Sequence, residues 1–176
     1  MSDSDAAVIG WATDPAEILA LGAFFARNAV TLPDYISHGE VQFGLSRDGA
    51  TWDVRAPDLV AAYFAQIADG QQSAKVVGAW LGNGRPVAVA VVDRIEREGL
   101  RYAVLCDILV EKDRRHAGLG ERMVRLIEAD MRAQRVDWIF LESGVRNARA
   151  HRFFGRLEYR EVSRVFAKRL SRGQEA

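Results

Sequence analysis

Apolar positions along this chain recur at two spacings, and the changes from one to the other mark its elements. Alternating or continuous apolar runs at 6–12, 76–81, 86–92, 102–110, 138–143 and 162–170 predict strands. Helical spacing appears first where Ile18, Leu21 and Phe25 share one face, with Asp14 as N-cap, Pro15 at the first helical position and Glu17 reaching back in a capping box. A second helix is expected from a cap at Asp58, with Val60, Tyr63, Phe64 and Ile67 as its buried stripe and Gly70 as its stop. Leu119, Met123, Leu126 and Ile127 form a third stripe, with Glu121/Arg125 and Glu128/Arg132 paired on the wet side. Ala150, Phe153, Phe154 and Leu157 form a fourth at i, i+3, i+4, i+7. Between 31 and 56 the pattern is broken by Pro33, Gly39, Gly44 and Gly49, and no element is assigned there.

The turns join these elements in a definite order. Gly82-Asn83-Gly84-Arg85 is a hairpin signal, and Glu96-Arg97-Glu98-Gly99 makes the next turn. Three strands therefore follow one another antiparallel, and the expected class is α/β (α+β): a mixed, mostly antiparallel twisted sheet flanked by helices in a single domain over residues 1–170. Residues 171–176 are expected to be a flexible tail.

Composition narrows the function classes. At 176 residues, 49% hydrophobic and 27% charged, the chain is an ordinary globular protein, and its longest apolar run falls far short of a membrane span of ~20 residues. With Cys106 as the single cysteine there is no internal disulfide and no cysteine-based metal site, and Met1-Ser2-Asp3-Ser4-Asp5 lacks the pattern of a secretory signal; a cytoplasmic location is expected. A net charge of zero argues against nucleic acid as the partner. Residues 1–100 hold 7 Lys/Arg against 13 Asp/Glu, and residues 101–176 hold 17 against 11. An acidic first half would suit a cationic acceptor, and scattered solvated charge would give the same count.

The chemistry gathers at residues 104–120. A strand ending at Val110 runs through a basic loop into a helix opened by Gly118 and Gly120, and the first N–H groups of a helix have no partner inside it. The helix dipole and the charges of Lys112, Arg114 and Arg115 make this corner an anion site. Neither a Gly-x-x-x-x-Gly-Lys-Ser/Thr loop nor a Gly-x-Gly-x-x-Gly fingerprint is present, which speaks against nucleoside triphosphatases and dinucleotide folds.

What is present, Arg115-His116-Ala117-Gly118-Leu119-Gly120 after a strand, resembles the Arg-x-x-Gly-x-Gly acyl-CoA loop of the GNAT superfamily of N-acyltransferases. A second run, Asn147-Ala148-Arg149-Ala150-His151-Arg152-Phe153-Phe154 through Tyr159, resembles that family's Asn-x-x-Ala-x-x-Phe-Tyr-x-x-x-Gly-Phe pattern. The resemblance covers roughly residues 75–170, the CoA-binding core, and leaves residues 1–74 as the acceptor-side part. It departs at three places: Phe154 stands where a proton-donating Tyr is common, Glu158 where Gly is, and Cys106-Asp107 where a polyamine-acetylating branch has Glu-Asp.

The resemblance implies roles. The backbone of Ile108, Leu109 and Val110 would pair with the pantetheine arm of acetyl-CoA, and the N–H groups of His116, Ala117, Gly118, Leu119 and Gly120, with Arg115, would hold its diphosphate. Asn147 would touch the arm, Phe154 would lie at the cofactor, and Asp107 would be the catalytic base or ammonium anchor unless it is only a hydrogen-bonded strand carboxylate. The implied reaction is transfer of an acetyl (acyl) group to a primary amine of a small molecule or peptide by direct attack in a ternary complex, without metal; an acyl-CoA-binding sensor without turnover is the alternative, motivated by Phe154. A homodimer is left open. Cys106 as a nucleophile is weaker than Cys106 as packing, and His38, His116 and His151 suggest no metal set. Arg156 is read as a surface arginine within reach of the phosphates, and Trp11, Trp52, Trp80 and Trp138 as core or rim aromatics.

Overall fold

Strands joined by tight turns must lie side by side, and in the computed structural model, which describes residues 6–170, β2 (Lys75–Trp80), β3 (Pro86–Arg97) and β4 (Leu100–Val110) form an antiparallel meander. The segment expected to be a flexible tail lies outside the described residues. β1 (Val8–Ala12) pairs antiparallel with β2, and β5 (Trp138–Leu141) pairs parallel with β4, giving the order β1-β2-β3-β4-β5. β3 runs five residues past the apolar run, because Asp93–Arg97 pair rung for rung with Val104–Leu100.

Each face of the sheet is covered by helices. α1 (Pro15–Ala29) and α3 (Ala56–Ala68) lay Leu21, Phe24, Phe25, Val60 and Phe64 on Val76, Val89, Val91 and Leu109. On the other face α4 (Leu119–Ala133) and α5 (Ala148–Arg156) pack Met123, Val124, Ile127 and Phe154 on Val77, Ala88, Ala90, Val92 and Leu105. With both faces covered, the central strands are continuous apolar runs. Among the described residues no helix is long and apolar enough to cross a membrane.

The helix ends explain where pattern and structure part. Asp14 caps α1 by accepting from the Ala16 N–H at 2.7 Å. Asp58 does not cap α3: the helix starts earlier, at Ala56 with Pro57 in its first positions, and Asp58 falls in its first turn, where a carboxylate still suits the dipole. Gly70 stops α3 with φ of 71°. A short helix, α2 (His38–Gln42), lies in the unassigned segment and is held by a capping box between Ser37 and Glu40. Glu128 is buried rather than on the wet side, compensated by Arg125 at 3.2 Å and Arg132 at 3.1 Å. The strand expected at 162–170 does not form: residues 160–170 are without regular structure and exposed throughout, because no strand of the same subunit lies alongside.

Phe64, 1% exposed at the α1–α3 contact, should cost about 3–5 kcal/mol when replaced by Ala. Val54, 91% exposed, should cost under about 0.5 kcal/mol. Urea unfolding of the two variants checks where the core lies.

Candidate active site

β4 is paired with β3 along its whole length but with β5 only from Tyr102 to Leu105. Beyond Leu105 the two strands part, so the edge of Ile108, Leu109 and Val110 that faces β5 carries no ladder. A β-bulge sits where they part: Val92 faces Leu105 and Val91 faces Asp107, leaving Cys106 as the extra residue. Because side chains alternate with a period of two, one extra residue exchanges the faces of everything after it. Ala103 and Leu105 point to the α4 face, whereas past the bulge Ile108 and Val110 take that face. Leu109 turns to the α1/α3 face, and Asp107, two residues before it on the strand, turns with it.

The loop after β4 is tied down at its start. Glu111 donates its N–H to Val87 O at 2.9 Å, and its carboxylate receives Arg85 Nη1 at 2.6 Å and Nη2 at 3.1 Å. After a single 3-10 turn at Lys112–Arg114, His116 and Gly118 both take left-handed backbone, with φ of 72° and 73°. Gly118 is the N-cap of α4 and offers no side chain, so the amides of Leu119, Gly120 and Glu121 are left to an outside acceptor; Arg122 N makes the first intrahelical bond, to Gly118 O at 3.0 Å. Arg115 Nε donates to Val110 O at 2.9 Å, which folds the guanidinium over the corner. Burial, then the nearby Arg149, draws the pKa of Arg115 below its usual value. The side chains of His116 and Ala117 are exposed, as are His151 and Arg156.

The opposite side of the splay holds the carboxylate. Tyr35 Oη donates to Asp107 Oδ1 at 2.9 Å. The pattern of the chain missed Tyr35, which sits on a 3-10 turn in the unassigned segment and packs among Phe25 and Trp52 rings. Burial raises Asp107 to about 6, with Glu40 adding to the rise and the Tyr35 hydrogen bond opposing it. Burial and the Asp107 charge hold the Tyr35 phenol well above its usual value, so the tyrosine stays protonated. Part of Cys106 reaches solvent, yet desolvation of its thiol, with the Asp107 and Asp93 carboxylates, pushes it up to about 12. Such a thiol is not a nucleophile near neutral pH.

The limb after β5 fastens these parts together. Glu142 accepts from Ser37 Oγ and from Gly39 N at 3.3 Å, and pairs with His38 Nδ1 at 2.7 Å. Arg146 Nη2 donates to Gly49 O at 2.9 Å and Pro33 O at 3.4 Å. Gly144 lies so close to the Ile36 backbone that a Cβ there would sit 2.4 Å from Ile36 O. Ser143 Oγ is enclosed without a hydrogen-bond partner, a situation buried hydroxyls avoid unless something else fills it. Asn147 caps α5, its Oδ1 accepting from Ala150 N at 3.1 Å. Phe154 is buried, its ring 5.0 Å from Phe153 and 5.5 Å from Tyr159. Glu158 takes φ of 68°, the left-handed backbone that a glycine would adopt without strain.

The parts fit a long ligand with an anionic end: a strand edge without a ladder, with the raised Asp107 carboxyl near its start, and then a cationic helix N-terminus. An open hollow of about 610 Å³ on the flank of α4, lined by Ile9, Gly118, Glu121, Arg122, Arg125 and Leu126, shares Gly118 with the corner but not the splay. Among the described residues no cluster of His, Cys, Asp or Glu is arranged to hold a metal ion.

A model of the acetyltransferase (GNAT) family matches residues 44–159. No curated protein matches the chain. Among solved structures, the chain is similar to a tetramutant of the BH1408 protein of Bacillus halodurans, with a TM-score of 0.71 at 20% identity over 93% of this chain and 99% of that one. It is also similar to a ribosomal-protein-alanine N-acetyltransferase of Brucella melitensis biovar Abortus 2308, with a TM-score of 0.65 at 12% identity over 94% and 100%. A third likeness is to the aminoglycoside acetyltransferase meta-AAC0020 of an uncultured soil metagenomic sample, with a TM-score of 0.63 at 15% identity over 94% and 97%. At these identities the likenesses show the fold.

Since the Tyr35 hydrogen bond lowers the Asp107 pKa, Tyr35→Phe should raise it above about 6. A carboxyl-detected NMR titration of Asp107 in both proteins reads the shift, and no movement would mean the phenol does not act on the carboxylate.

Proposed function

Because the chain belongs to the acetyltransferase (GNAT) family, we propose that it transfers an acetyl group from acetyl-CoA to a primary amine of a small molecule or peptide, by direct attack in a ternary complex. Acyl transfer in general follows from the family and the fold. The observation that carries the finer reading is the juxtaposition of the unpaired β4 edge with the uncapped N-terminus of α4. A peptide-like arm can add to Ile108, Leu109 and Val110 as a strand would, and a diphosphate suits the amides from His116 to Gly120 beside Arg115 and Arg149. Acetyl-CoA supplies the thioester carbon that the amine attacks. What the chain must supply is alignment, hydrogen bonds to the thioester oxygen and removal of the ammonium proton.

Asp107 accepts the proton that the attacking amine must lose. With a pKa of about 6 it is ionised at pH 7.5 yet far more basic than an ordinary aspartate. Tyr35, kept protonated, fixes the carboxylate and leaves its second oxygen for the amine. Phe154 has no proton for the departing sulfur, and in this reading water protonates the thiolate, which is a tolerable leaving group. The acidic balance of residues 1–100, with 13 Asp/Glu against 7 Lys/Arg, favours a cationic acceptor. The single cysteine and zero net charge favour a cytoplasmic enzyme without a nucleic-acid partner. The second reading, an acyl-CoA sensor without turnover, rests on Phe154 alone.

Acetyl-CoA should raise the Tm of the protein, and Gly118→Asp or Gly120→Asp should abolish the rise; no rise at millimolar acetyl-CoA would refute both readings. Turnover, followed as free thiol released across a panel of polyamines, amino acids, aminoglycosides and peptides, should increase with pH through about 6 as Asp107 ionises. Asp107→Asn should lower kcat about 100- to 10,000-fold and remove that limb. Binding without thiol release from any amine would favour the sensor.

A further inference from the structure

The face of the sheet that carries Asp107 continues towards the start of β4 without a helix over it. On that face Asp93 of β3 stands opposite Val104 and Ile95 opposite Tyr102, and on β5 Phe140 and Trp138 stand beside Val104 and Tyr102. The sheet residues that α1 and α3 bury there are Val76, Val89, Val91 and Leu109; Tyr102, Val104, Trp138 and Phe140 belong to neither core. Trp138 is 58% and Phe140 41% exposed. Their rings are stacked 12° from parallel with centroids 6.0 Å apart, and Tyr102 is edge-on to Phe140 at 5.8 Å. A contiguous bare aromatic surface of this kind marks a binding site.

The register sets how far these rings are from the carboxylate. Val91 pairs with Asp107 and Asp93 with Val104, so the two β4 residues are two rungs of β3, about 7 Å, apart. Phe140 is one strand spacing from Val104, about 5 Å, which puts its backbone about 8 Å from that of Asp107. Cys106 and Val104 line β4 between them, and desolvation keeps the Cys106 thiol neutral. Tyr63 of α3 stands over this stretch: burial, then Cys106, Asp107 and Asp93, holds its phenol well above its usual value. Charge stays at the margins. Glu40 is near Asp107 at one end, and Asp93, on the β3 side, accepts from Ser73 Oγ at 2.7 Å.

We propose that this face seats the body of the acceptor. The amine stands at Asp107, which presupposes the acyl transfer proposed for the chain, and a flat aromatic group two or three bonds from the nitrogen lies over Val104 against Phe140, Tyr102 and Trp138. The span of such an amine matches the separation between the carboxylate and the rings. A ring laid there buries apolar area against Val104 and Cys106 and adds ring contacts on its β5 side. An unbranched alkyl chain gains less of both. A second ammonium on the acceptor would meet Asp93 as its nearest carboxylate, and that group is already bonded to Ser73. One polar anchor beside an apolar floor is the usual composition of a small-molecule site.

With acetyl-CoA as donor, phenethylamine should show a kcat/KM about 10-fold above those of butylamine and putrescine. Phe140→Ala and, separately, Trp138→Ala should bring that ratio towards one, chiefly through KM, with the acetyl-CoA rise in Tm kept. In a nitrogen–proton correlation spectrum of the CoA-bound protein, phenethylamine should move the indole N–H signal of Trp138, assigned by its loss in Trp138→Ala, and leave that of Trp11 in place. The titration needs no turnover, so a moved signal without thiol release from any amine supports the aromatic seat and fails the transfer reading. An unmoved signal overturns the inference, as does an equal kcat/KM for phenethylamine and butylamine, or a preference for putrescine that Asp93→Asn removes.

Discussion

Four rungs join β5 to β4, and then the ladder stops. A parallel pair normally continues as far as both strands are extended, because an unpaired backbone group shielded from water costs as much as a lost hydrogen bond. Here the strands diverge, and the edge of β4 from Ile108 to Val110 that faced β5 is left without a ladder. Everything else about the site is arranged around that interruption. α4 begins where β4 ends, so its uncapped amides stand at the outer mouth, and the loop between them is held by the Arg85–Glu111 pair and by Arg115 on Val110.

The bulge at Cys106 decides which chemistry faces which wall. Without the extra residue, Asp107 would lie on the α4 face with Ala103 and Leu105 and could not meet Tyr35. With it, the carboxylate joins a pocket of rings whose low polarity lifts its pKa, while Ile108 and Val110 turn to the apolar α4 face. One inserted residue thus separates a carboxylate-bearing side from a packing side on a single strand. The same crowding makes Cys106 inert.

Periodicity and turn chemistry were enough to place both helix pairs, the β2–β3 hairpin and the glycine corner, since each is written in residues close together in the chain. The segment from 31 to 56 was not readable that way. Its order comes from distant partners: Tyr35 from Asp107, Ser37 and His38 from Glu142, and the carbonyls of Pro33 and Gly49 from Arg146. The one local signal was Ser37-His38-Gly39-Glu40, a capping box that marks α2. Asp58 misled because a good capping residue also suits a first turn, and Pro57 had already begun the helix. Glu128 misled because a helical pair looks the same whether Tyr159 covers it or water does. Residues 162–170 have a strand's composition, yet no described strand lies alongside them.

The fastening of Glu142, Gly144 and Arg146 onto the segment from 33 to 49 has an evolutionary corollary. The glycine corner is built from β4, α4 and the loop between them, whereas the segment from 33 to 49 hangs on a handful of bonds from the limb after β5. Sequence drift in residues 31–56 can therefore reshape that side of the splay while the glycine corner is inherited unchanged, provided that position 144 stays small enough for the two backbones to touch.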